Sequence, residues 1–128
     1  MKNALLLALV SLLLPIIAHA DTGEPGRYEG TAVDASGLIR KHVSFHLTVG
    51  GRVSNFHVGG HKLVGLAFLV SGGHFTFDRH NDSPVVIRYQ GHGKWHGHTH
   101  CAGDFREFHL GLTESNIYYT WSAHLKDR

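Results

Sequence analysis

The sequence predicts an all-β fold, a single small antiparallel β-barrel or sandwich of about seven to eight strands, and three observations carry that reading. From Arg27 onward the apolar residues recur with a period of two rather than 3.6. Glycine-rich breaks interrupt that pattern at regular intervals, as turns between strands do. No ten-residue stretch shows a helical stripe.

Residues 1–20 stand apart from the fold. In MKNALLLALVSLLLPIIAHA, Lys2 precedes an apolar run from Ala4 to Ile17, broken by Pro15 and followed by Ala18-His19-Ala20. This is the build of a cleaved secretory signal peptide. As a helix the run covers about 21 Å, against the roughly 30 Å of a bilayer core, so no permanent span is expected. The mature chain is expected to begin at Asp21 and to work in a periplasm or outside the cell. Residues 21–26 (DTGEPG) read as a loose polar leader, and 27–128 as one β domain.

Within that domain the expected strands are Arg27–Val33, Lys41–Val49, Arg52–Val58, Lys62–Val70, His74–Arg79, Val85–Trp95, Asp104–Leu112 and Ile117–Leu125. The first hairpin has an expected register. Gly50-Gly51 is a two-residue turn signal, since both central positions tolerate positive φ. Pairing outward sets Leu47 opposite Ser54, Phe45 opposite Phe56 and Val43 opposite Val58. One face then carries Val43, Phe45, Leu47, Phe56 and Val58, and the other Ser44, His46, Thr48, Asn55 and His57. The same parity turns Tyr89, Trp95, Phe75, Phe77, Tyr119, Trp121 and Ala123 inward and most histidines outward. Lys62–Val70 is a continuous apolar run that equally suits a short helix.

The signals GRYEG, HVSFHLTVGGRVSNFHV, GGHFTF, GHGKWHGHTHCAGDF and YYTWSAH, in that order, resemble a group of small exported bacterial all-β domains of unknown function. That group shares an ordered Gly-x-Tyr-x-Gly, a Val-x-Phe hairpin, Gly-x-Phe signals and a closing Trp-x-Ala. The resemblance spans Gly26 to His124 and implies the β fold; it brings no activity with it. It also implies that His96 to Cys101 lie at or near a hairpin tip.

Composition narrows the function. Removing the signal takes Lys2 from 12 Lys+Arg and nothing from 10 Asp+Glu, leaving a net charge of +1. That balance gives no reason to expect nucleic acid as a partner. Histidine is the anomaly, with 13 in the chain. A single cysteine, Cys101, forms no internal disulfide; it is buried and inert, paired with another molecule, or a ligand.

The sharpest candidate site is therefore Lys94 to Gly103, KWHGHTHCAG. In extended chain His96, His98 and His100 repeat on one side about 7 Å apart, close enough for two imidazoles to share an ion. Cys101 and His92 are the further candidate ligands, with Asp104 an alternative to His92. Imidazole and thiolate suit Zn²⁺, Cu²⁺ or Ni²⁺ rather than Ca²⁺ or Mg²⁺. A second outward patch is His42, His46 and His57 with Asn55. No G-x-S-x-G elbow, phosphate loop or HExxH is present to suggest an enzyme. The expected function is an exported binding protein that holds Zn²⁺ or Cu²⁺. The rival is an envelope interaction module, of inhibitor or immunity type, whose partner is another protein and whose histidines are only surface residues.

Overall fold

Alternating polarity over nine stretches of chain produces strands and turns and no helix among the residues that the computed structural model describes, 22–109 and 115–128. The strands are β1 (Gly26–Asp34), β2 (Arg40–Leu47), β3 (Arg52–Val58), β4 (His61–Lys62), β5 (Phe68–Leu69), β6 (His74–His80), β7 (Ile87–Trp95), β8 (His100–His109) and β9 (Ser115–Asp127). All pair antiparallel in one sheet of order β4-β3-β2-β1-β9-β8-β7-β6, with β5 also beside β3. The ends of this sheet meet. Leu63 bridges Asn81, the Val64 N–H donates to the His80 carbonyl at 2.9 Å, and the Asp82 N–H donates to that of Lys62 at 3.0 Å. Beyond these bonds the seam is filled by Phe68, stacked on Phe75 and Phe77. The result is a small barrel, one of the two forms, barrel or sandwich, that the periodicity predicts, its edges largely hidden by closure.

Sharp coiling of so small a sheet depends on two glycines. A Cβ at Gly30 would lie 1.7 Å from the Ser122 carbonyl oxygen, and one at Gly103 only 1.9 Å from that of His92. No side chain fits there, so neighbouring strands approach closely and the sheet bends.

The inward residues form an aromatic core. Tyr28 stacks on Phe45 and Phe45 on Phe56, with Phe75, Trp95 and Trp121 set edge-on or tilted around them. Tyr89, Phe105 and Tyr119 continue the packing. Among these rings lies Glu107, only 1 % exposed, which accepts a hydrogen bond from Lys41 Nζ at 2.8 Å and another from His109 Nε2. Burial raises the hydroxyl pKa of Tyr89 and of Tyr119, the latter to about 12, and the nearby Glu107 charge adds to both.

Four sequence expectations change. The β2–β3 register begins as predicted at Val43–Val58, but Leu47 faces Val53 rather than Ser54. Asn55 sits in the left-handed region at φ 52°, and the register shift it accompanies brings Val53 into the core. The stretch Lys62–Val70 is two short pairings separated by a turn, with Gly65 at φ 114°, not one strand. β8 starts at His100, earlier than expected, because the Trp95–Cys101 pair extends the β7–β8 ladder; its expected end at Leu112 lies outside the described residues. Finally, the leader is tied down: the Glu24 N–H donates to the His98 carbonyl, Tyr28 Oη to the carbonyls of Glu24 and His98, and Arg128 Nε to the Glu24 carboxylate. The proposed signal peptide, residues 1–20, lies outside the described residues.

Candidate functional site

The hairpin between β7 and β8 carries the candidate histidines, and strand parity sorts them. Trp95 and Cys101 pair and point inward, fully buried. Cys101 is thus in the core, its pKa raised by burial, and the structure does not bring it to the histidines. The sequence reading placed it in the turn; with β8 beginning at His100, Cys101 takes the inward position.

His96 and His100 flank the turn. The His96 N–H donates to the His100 carbonyl at 2.9 Å, and Gly97, at φ 81°, permits the tight reversal. Their ring centres are 5.8 Å apart. His98 sits at the tip with its Nδ1 donating to the Thr22 carbonyl at 3.0 Å, so the leader orients this ring. His92 lies four residues before His96 on β7, about 13 Å along the strand. There its Nε2 is 3.1 Å from Asp104 Oδ2 and its ring centre 5.5 Å from that of His74, while its Nδ1 is buried without a hydrogen-bond partner.

A residue outside the predicted set completes the hairpin patch. His124 on β9 is the direct cross-strand partner of His100, and the two rings stack with centres 4.6 Å apart. Parity shows that His124 faces outward, but nothing local to the sequence says that β9 lies beside β8. On its other side His124 faces Glu29 of β1, whose carboxylate accepts from Arg27. The pKa of His100 is lowered, first by burial and then by the neighbouring His124 and His96. The ring stays neutral further into acid than a free imidazole does, which is the state that donates a lone pair.

Two imidazoles bound cis to one ion, at nitrogen–metal distances of ~2.0–2.1 Å, place their ring centres roughly 4.5–5.5 Å apart. The His100–His124 spacing falls in that range and the His96–His100 spacing lies just above it, but the His100 and His124 rings are stacked with 16° between their planes, so a ring must turn before their nitrogens converge. Among the described residues, no three His, Cys, Asp or Glu side chains already converge as a metal site. The arrangement therefore offers a pair of ligands with a third at hand, not a closed cage.

The second patch stays on the outer face. His57 Nδ1 donates to the Asn55 carbonyl at 2.7 Å, and His46 and His57 line a shallow depression with Arg27 and Ser44. His42 is exposed on β2.

No helix among the described residues is long and apolar enough to cross a membrane. No protein-family model and no curated protein matches the chain. Among solved structures, the one described as EF1p2_mFAP2b bound to DFHBI is similar at a TM-score of 0.55, with 14 % identity, over 80 % of this chain and 93 % of that one. At that identity the likeness speaks to the fold, and it places this chain among small antiparallel β-barrels.

Proposed function

We propose that the mature protein is an exported binding protein that takes a Zn²⁺ or Cu²⁺ ion on the outer face of its barrel, through His100 and His124. The observation that supports this reading is the stacked cross-strand pair itself, 4.6 Å between ring centres, on two strands held by a continuous ladder. Rigid strands fix both backbones, so only side-chain rotation separates the pair from a chelate. His96 is the nearest third ligand, and water completes the coordination. Export, inferred from residues 1–20, sets the compartment; the role is buffering or delivery of the ion there.

Calorimetric titration of untagged mature protein with ZnCl₂ and CuCl₂ tests the proposal. A Kd tighter than about 10 μM is expected, weakened at least tenfold in His100→Ala and in His124→Ala. A weaker Kd that the double variant leaves unchanged refutes it.

A second reading, an interaction module, draws on apolar side chains left in water near one another. Val49 sits at the β2–β3 turn, and Leu69 pairs with Arg52 just beyond it; both are exposed. A partner captured equally well with and without chelator, and lost on Val49→Asp, favours this reading.

A further inference from the structure

We infer that the outer face of β6–β9 is a second binding site, independent of the histidine pair, and that it takes a small aromatic carboxylate. Sheet register assembles it. One cross-strand row runs Thr76, His92, Asp104, Thr120 and Val33; the next runs Gln90, Arg106 and Tyr118, and the Ala35 N–H donates to the Tyr118 carbonyl. Between them lies a groove of about 620 Å³, within the range of sites for small organic ligands. Gly91 lines it with backbone.

Charge selects the ligand. Each nearby carboxylate is already engaged: Asp104 with His92, Asp78 with the Arg88 fork, and Asp34 with Ser36 Oγ and the Ile39 N–H. Arg106, within the groove, takes no carboxylate among the described residues; its guanidinium lies over the Tyr118 ring, 4.4 Å from the ring centre, and 5.5 Å from that of Phe108. A planar donor fork resting on an aromatic face presents two N–H groups in the geometry a carboxylate accepts, and an apolar surface beside it. A neutral sugar is a poorer match, since it seeks an open ring face, whereas one face of Tyr118 is covered by the Arg106 guanidinium.

The test uses the mature protein in EDTA, which silences any metal site, with 1-naphthoate as the probe and 1-naphthalenemethanol as its neutral counterpart. Binding is followed by amide chemical shifts. Saturable 1-naphthoate binding is expected, with shifts centred on Arg106, Tyr118 and Gly91, and with the alcohol binding at least roughly tenfold more weakly, the value of a charge-assisted contact. Arg106→Gln loses about tenfold for naphthoate and little for the alcohol; His100→Ala/His124→Ala binds as the parent does. No saturation below 5 mM, equal binding of acid and alcohol, or naphthoate affinity unchanged in Arg106→Gln each overturns the assignment. Arg106 is half-buried on β8, so a parent-like amide spectrum of Arg106→Gln is required to show that the variant is folded. Because the metal pair is tested by titration without EDTA, either site can fail alone.

Discussion

Phe45 is the side chain around which the core is organised, and Phe45→Ala tests whether ring packing holds this barrel together. Phe45 is 2 % exposed and has five aromatic neighbours, Tyr28, Phe56, Phe75, Trp95 and Trp121, at ring-centre distances of 5.1 to 6.1 Å. Truncating a buried Phe costs about 3–5 kcal/mol, and ring pairs of this geometry carry ~0.5–1.5 kcal/mol each beyond burial. Neighbours fixed on five other strands relax little into the void, so the upper part of the range applies, about 4–5 kcal/mol. A domain of this size holds roughly 5–15 kcal/mol in all. The urea midpoint is therefore expected to fall by roughly 2–4 M and the Tm by about 20 °C or more. Phe45→Leu, which keeps most of the volume, recovers more than half. Tyr118→Ala, exposed on the outer face, costs under about 1 kcal/mol and serves as the control. A loss below about 2 kcal/mol for Phe45→Ala would refute the claim that the core is organised around this ring.

Lys41→Met removes the ammonium 2.8 Å from buried Glu107 and is expected to cost about 2–3 kcal/mol, less than a fully buried pair because Lys41 is partly exposed and His109 remains. Adding Glu107→Gln in that background recovers part of the loss in thermal denaturation; no loss in the single variant contradicts the pairing. By imidazole NMR His100 is expected to titrate below the ordinary 6.5, and His124→Ala is expected to move it upward. Its folded-state pKa is depressed, so the folded state resists protonation, and the stability carried by the neutral ring is lost as pH falls through and below 6.5. Buried Cys101, with its thiol pKa raised, stays unmodified by a disulfide reagent in the native protein and reacts in 6 M guanidinium; prompt native reaction would contradict its place in the core.

Much of the barrel is legible in the sequence because parity is a local property. Phe75 and Phe77 alternate with polar neighbours, and so do Tyr119, Trp121 and Ala123, so each strand declares its own inward face. Parity breaks where one residue is inserted: the bulge at Asn55 hides Val53 from a reading that counts by twos. The candidate site was half legible for a related reason. Which histidines face outward follows from each strand alone, but which face each other follows from sheet order. The His100–His124 pair joins residues on β8 and β9 across a connection whose length does not announce its register. Cys101 shows the converse, since a single step along β8 carried the thiol from the patch into the core.

The pairing of β1 with β9 sets the order in which this chain can complete itself. Arg27 meets Asp127 across a hundred residues, while every other long pairing joins strands adjacent in sequence. Hairpins such as β1–β2, β6–β7 and β7–β8 close short loops and form early; the β1–β9 clasp must wait until β9 is present. Until then β1 and β8 each hold an unpaired edge, the kind that recruits another chain. A protein shortened before residue 115 would keep its hairpins and lose the strand that joins them. We expect such a truncation to aggregate rather than unfold quietly. The thirteen-residue strand β9 is in this sense a lock, turned only once it has been made.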